Sequence, residues 1–168
     1  MRIALASASV GGQPLPLATG EPTLDGDVVQ THRGGLIEKV ATGLDSVEQS
    51  FVFPTLPNRG DVHVDVALGG ELAASAQASA DGVRFANEHG TLEYRKAMAI
   101  DAAGNTLPLA IEWDGDSAHI TIPASFVARA TLPLVLDPIV NSSPNVSAAS
   151  PSPASLTREP DVATLQTP

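Results

Sequence analysis

The chain has 168 residues, of which 43% are apolar and 17% charged, with 14 glycines, 14 prolines and no cysteine. That is ample material for one domain with a real core and too apolar for a disordered chain. Nine Lys and Arg against 19 Asp and Glu leave a formal net charge of −10, which excludes a protein that works by neutralising nucleic-acid phosphates, while the missing cysteines exclude disulfides, thiol nucleophiles and cysteine-ligated metal centres.

In chain order, the opening residues invite a signal-peptide reading. Their apolar part is short, Ser7 and Ser9 interrupt it, and Gly11-Gly12 follow at once. Alternation of Ile3, Leu5 and Ser7 against Arg2, Ala4 and Ala6 predicts a first strand instead. A second alternating run covers 28–33. Over 47–53, Val47, Gln49, Phe51 and Phe53 fall on one face. Residues 61–68 alternate most cleanly, with Val62, Val64, Val66 and Leu68 pointing one way and Asp61, His63, Asp65 and Ala67 the other. This is the signature of a half-buried antiparallel strand.

The alanines of 71–80 suit a helix by propensity. Yet Leu72, Ala74, Ala76, Ala78 and Ala80 alternate with Ala73, Ser75, Gln77 and Ser79, and Asp81-Gly82 closes the run, so a strand is predicted. Further alternation runs through 107–114, 118–122 and 132–136. Turn sequences separate these runs, among them Asp25-Gly26-Asp27, Gly34-Gly35, Asn58-Arg59-Gly60, Glu88-His89-Gly90 and Ala103-Gly104-Asn105. The clearest hairpin is centred on Asp114-Gly115-Asp116, between Trp113 and Ser117. Nothing carries a sustained helical stripe, and no run approaches the ~18 apolar residues of a membrane-spanning helix. The prediction is an all-β domain over 1–140, an antiparallel β-sandwich of roughly ten short strands. Residues 141–168, rich in Pro and Ser, are expected to form a flexible, disordered tail.

Candidate chemistry is sparse. His63 and Asp65 share a strand face, but no serine stands in a nucleophile elbow, and His32, His89 and His119 lie elsewhere. No catalytic triad is assigned. Asp25-Gly26-Asp27 and Asp114-Gly115-Asp116 put paired carboxylates in turns that calcium could use, yet Asp-Gly is first of all a turn sequence. No two histidines have zinc-ligand spacing. Glu38, Glu48, Glu93 and Glu112 lie on predicted strands, where two could meet as a hydrolytic pair. Glu48, beside Phe51, is the most interesting, although a strand glutamate opposite the core face is ordinarily solvated. Trp113, Tyr94 and four phenylalanines make a thin supply for a sugar-stacking platform. The sequons at Asn141 and Asn145 fall in the expected tail. No catalytic, cofactor-binding or metal-binding residue is assigned, and no cofactor is expected.

The order of short motifs carries a resemblance. Residues 44–53 (Leu44-Asp45-Ser46-Val47-Glu48-Gln49-Ser50-Phe51-Val52-Phe53), Leu92-Glu93-Tyr94 followed by 100–108, and 132–140 with Leu136-Asp137-Pro138 stand in sequence. With Asp25-Gly26-Asp27 and 33–38 upstream, the set resembles the β-sandwich module near the N-terminus of large bacterial surface or secreted proteins that carry FG-GAP (integrin-like), propeller or sandwich repeats. The resemblance implies no catalytic residues. It implies a non-catalytic structural or interaction module of an extracytoplasmic bacterial protein, located extracellularly or at the cell surface, with this chain a fragment of a larger repeat protein. Its partners would be neighbouring domains or other surface proteins, with no nucleic acid and no membrane insertion. Asp137-Pro138 is expected to end the last strand, and Glu48-Gln49 to satisfy backbone groups at a sheet edge. The alternatives are an adhesive module binding carbohydrate or calcium, or a hydrolase built on carboxylates such as Glu48.

Overall fold

A computed structural model of the protein describes residues 2–43, 46–70, 75–79, 81–88 and 90–144. Its elements in chain order are β1 (Arg2–Val10), β2 (Gln13–Pro14), β3 (Pro22–Asp25), β4 (Val28–His32), β5 (Ile37–Thr42), β6 (Ser46–Phe53) and β7 (Val62–Gly69). They continue with β8 (Gln77–Ser79), β9 (Gly82–Asn87), β10 (Gly90–Asp101), β11 (Thr106–Pro108), β12 (Ile111–Trp113), β13 (Ser117–Ile122), α1 (Ala124–Val127) and β14 (Leu134–Pro144). The described residues are all-β, 63% of them strand and 4% helix. Among the described residues fourteen strands replace the ten or so expected, because β2, β3, β8, β11 and β12 are pieces of two to four residues.

The strands form two antiparallel sheets. One runs β12-β13-β7-β1-β2, and the other β3-β4-β5-β6-β14-β10-β9-β8, with β11 added to β10. The period-two rule holds best in β7, where Val62, Val64, Val66 and Leu68 are buried and His63, Asp65, Ala67 and Gly69 are partly exposed. Those four apolar residues, with Phe51, Phe53, Phe85, Tyr94, Ile120, Ile122, Leu134 and Leu136, fill the layer between the sheets. The hairpin at Asp114-Gly115-Asp116 forms as expected, with Trp113 opposite Ala118 and the Asp114 N–H donating to the Ser117 carbonyl. Gly82 starts β9 at φ +137°, and a β-carbon there would lie 2.2 Å from the Tyr94 carbonyl oxygen, so only glycine fits.

The structure departs from the sequence expectations in five places. In β1 an extra residue, Ala6, intervenes between the pairs Leu5↔Val66 and Ser7↔Asp65, so Ser7 leaves the face of Ile3 and Leu5, and Ala8 and Val10 turn inward. The run 107–114 is not one strand: β11 pairs with β10 in the larger sheet, and β12 with β13 in the smaller. Of the alanine-rich stretch only Gln77–Ser79 is strand among the described residues, and 71–74 and Ala80 lie outside them.

Asp137-Pro138 does not end the last strand. β14 passes through it to Pro144 in the middle of its sheet, between β6 and β10. The proline is accommodated because β10 bulges beside it. Arg95 pairs with Ile139 and Met98 with Asp137, leaving Lys96 and Ala97 opposite the single Pro138. Lys96 takes φ +61°, and the N–H of Leu109 donates to the Ala97 carbonyl freed there. Asn141 lies in β14, paired with Glu93 and Ser46, rather than in a tail; Asn145 and the rest of 145–168 lie outside the described residues.

Candidate functional site

The five residues from Leu36 to Val40 decide where a site can lie. Leu36, Glu38 and Val40 share the core-facing side of β5, so Glu38 points inward and is 7% exposed. The sequence places Glu38 on a strand without assigning its face, and the face it takes is the inner one. Burial is tolerated because the carboxylate has three donors. Arg33 approaches Oε2 with Nη2 at 2.8 Å and Nε at 2.9 Å, and Gln49 Nε2 donates to Oε1 at 2.7 Å. Gln49, at 3% exposed, belongs to β6, which has β5 on one side and β14 on the other. It therefore serves a buried carboxylate, not a sheet edge. Its own carbonyl oxygen Oε1 has no partner among the described residues, nor has the hydroxyl of Tyr94. Burial, with the charge of Glu38 second, pushes that hydroxyl's pKa well up.

Tyr94→Phe deletes an orphaned buried hydroxyl without changing shape. It is expected to raise stability by about 1 kcal/mol in urea denaturation. A loss of stability would show that the hydroxyl has a partner after all.

Glu38 and Gln49, with Ile3, Val40 and Val47, line a groove of about 230 Å³ between β1 and the β5–β6 pair. That is below the ~300 Å³ at which small-molecule pockets begin. The groove leads onto an overhanging part of the larger sheet. Leu24, Val29, Val40 and Gln49 stand opposite one another across β3, β4, β5 and β6, so all four share the core-facing side. Gln49 is buried and Val40 half-buried, while Val29 is 39% and Leu24 74% exposed. Moving outward along this row, the inner face of the sandwich emerges into solvent.

The other candidates are occupied or dispersed. Glu48 lies on the opposite face of the sheet from Glu38, so the two make no acid pair. Burial and, second, the charge of Glu48 raise the pKa of Asp137. Glu93 is held by Arg95 (3.1 Å) and Arg84 (3.8 Å), and Glu112 is exposed on β12. The aromatic side chains face inward. All four phenylalanines and Tyr94 are buried, and the half-buried Trp113 packs edge-on against Phe85 at 5.8 Å. They form no sugar-stacking platform. Asp25 accepts Gln30 Nε2 at 2.9 Å, and Asp114 Oδ1 accepts the N–H groups of Asp116 and Ser117. Among the described residues, no three metal-ligating side chains converge.

The outer face of the smaller sheet carries a polar network that sequence spacing did not reveal. Ser7 donates its hydroxyl to Asp65. Asp65 and Asp114 flank His119, Oδ1 of the first 2.7 Å from Nδ1 and Oδ2 of the second 2.9 Å from Nε2. His63 faces Thr121 at 2.9 Å rather than pairing with Asp65 as a catalytic base would. Because carboxylates only accept, both ring nitrogens of His119 must donate, which makes it an imidazolium clamp between β7 and the β12–β13 turn. The bonds to Asp65 and Asp114 raise its pKa. Burial would raise that of Asp65, but the bonds from Ser7 and His119 outweigh it and lower it. The pKa of Asp114 is lowered to about 2, chiefly by the N–H groups of Asp116 and Ser117. A raised histidine pKa favours the fold below ~6.5 and loses that advantage as pH rises through the folded value. Wild-type Tm is therefore expected to fall more steeply than that of His119→Gln between pH 6 and 8 in parallel melts, and coincident slopes would refute the clamp.

No helix among the described residues is long and apolar enough to cross a membrane. In comparisons with known proteins, no family model, curated protein or solved structure matched this chain.

Proposed function

We propose that the domain is a non-catalytic structural and interaction module of a bacterial extracytoplasmic protein, working at the cell surface or in secreted form as part of a larger repeat protein. The observation that carries the interaction role is the emerging row Gln49–Val40–Val29–Leu24, an apolar core-side face that ends in solvent. Leu24 and Val29 are neighbours on adjacent strands, so their exposed apolar surface is contiguous. The bacterial and extracytoplasmic context rests on the motif order of 44–53, 92–108 and 132–140. Against a hydrolase stands the spending of Glu38, Glu93, Asp65 and Asp114 on internal partners. The adhesive alternative draws no support from the inward-facing aromatics.

A photo-crosslinking amino acid placed at Leu24, and as a control at Glu112, tests this. Incubated with bacterial cell-envelope proteins, the full chain is expected to give a discrete cross-linked product from position 24 only. Equal products from both positions, or none from position 24, would overturn the reading.

A further inference from the structure

The tripeptide Asp-Gly-Asp occurs twice in this chain, each time at an exposed hairpin turn, at 25–27 between β3 and β4 and at 114–116 between β12 and β13. In an aspartyl–glycine pair the glycine nitrogen can reach the preceding carboxyl, because no side chain stands in the way. The two turns share that reactive pair, and a β-carbon built on either Gly26 or Gly115 would meet no atom within 4 Å. They differ in what holds the carboxyl. At Asp114 both oxygens are engaged. Oδ1 accepts the N–H groups of Asp116 at 2.9 Å and Ser117 at 2.8 Å, and Oδ2 accepts from His119 Nε2 at 2.9 Å. These bonds also keep it ionised. Its pKa lies at about 2, against ~3.9 for a free aspartate, so its neutral form is roughly fiftyfold rarer. Asp25 has a single side-chain bond, from Gln30 Nε2 to Oδ2 at 2.9 Å, and its Oδ1 is free among the described residues. The N–H of Gly26 likewise donates to nothing among them. A third pair, Asp81-Gly82, is closed off by its backbone. Gly82 is buried and paired with Arg95, with the Tyr94 carbonyl where its β-carbon would be, and the Asp81 carbonyl accepts the Lys96 N–H. The peptide joining that pair is fixed at both ends.

We infer that Asp25 is a modification site, converting spontaneously to isoaspartate in the folded protein, while Asp114 and Asp81 are protected by their surroundings. In the first step the Gly26 nitrogen bonds to Cγ of the neutral Asp25 carboxyl, and the carboxyl hydroxyl leaves with the amide proton as water. The product is a cyclic imide whose nitrogen is shared by both carbonyls. Water then adds to the carbonyl that belonged to the main chain, the bond from that carbon to nitrogen breaks, and the nitrogen regains its proton. The main chain now runs through Cβ, and a carboxylate hangs from Cα. Water is released and taken up again, nothing is oxidised or reduced, and the mass is unchanged. The extra main-chain atom falls in the closing pair of the β3–β4 hairpin, Asp25 with Val28. β3 is an edge strand of four exposed residues paired only with β4, so the conversion unpairs Leu24 and its neighbours without reaching the core.

The full chain, kept folded at neutral pH and sampled over weeks, is denatured at each time and cut with an endoprotease that cleaves before aspartate but not before isoaspartate. Cleavage at Asp25 is expected to disappear at least roughly tenfold faster than cleavage at Asp114 or Asp81, with no change in mass. Asp25→Asn, in which ammonia replaces water as the leaving group, should reach the same isoaspartate faster than the wild type. Its side chain is exposed, so this variant is expected to fold normally. Persistence of Asp25 while a free peptide spanning residues 22–28 converts would overturn the inference. So would equal loss at all three aspartates, which would place the reaction in the unfolded chain, or an Asp25→Asn variant that keeps its asparagine.

Discussion

Replacing Phe51 by alanine is expected to lower the free energy of unfolding by about 4 kcal/mol in urea denaturation, a large share of what a domain of this size possesses. Phe51 has no exposed surface and sits in the middle of β6, opposite Glu38 of β5 and Leu136 of β14. Aromatics make up only 4% of the chain. The loss combines the transfer energy of the removed ring with the cost of the cavity left in the packed layer. Leu24→Ala is the matched control. With 74% of its surface already in water, it should change stability by no more than about 0.5 kcal/mol. A loss below ~2 kcal/mol at Phe51 would mean that the two sheets do not close over β6.

Glu38→Ala is expected to cost about 2–3 kcal/mol by the same measurement. Removing the carboxylate takes away the acceptor for Gln49 Nε2, and Gln49 Oε1 is already unmet, so a buried amide would be left without partners at either end. Arg33 moderates the loss, because its side chain is 31% exposed and can turn to water. Glu38→Gln, which keeps the shape and an acceptor, should cost less. Equal costs for the two substitutions would show that charge rather than hydrogen bonding holds the cluster.

The parts of this fold that were readable from sequence are those governed by nearest-neighbour alternation. The β7 faces, the inward set of β6 and the hairpin at Asp114-Gly115-Asp116 follow from side chains and turn chemistry within ten residues. What was not readable depends on a partner strand. Ala6 bulges only because β7 fixes the register on both sides of it, and nothing in 2–10 announces that the inner face changes. Pro138 looks like a terminator until Lys96 and Ala97, forty residues away, are seen to bulge beside it. The site shows the same division. Leu36, Glu38 and Val40 already form a period-two face, a signal that could have placed Glu38 inside, but its neutralisation by Arg33 and Gln49 is a tertiary fact. The His119 clamp joins residues from 7, 65, 114 and 119, for which no local spacing exists.

One consequence follows from the position of β14. The strand that joins β6 to β10 is made of residues 134–144, the last of the described chain. During synthesis, β3 to β6 and β8 to β10 emerge as two separate half-sheets, and the seam between them cannot close until translation has passed Pro144. Until then β6 and β10 each display an unpaired, apolar edge, the surface most prone to pairing with a neighbouring nascent chain. The seam also closes a separation of about eighty residues between β6 and β14, which makes the final step slow by loop-closure entropy. The larger sheet is thus an unjoined pair of halves until the residues of β14 have been made, and its closure is the last step its topology allows.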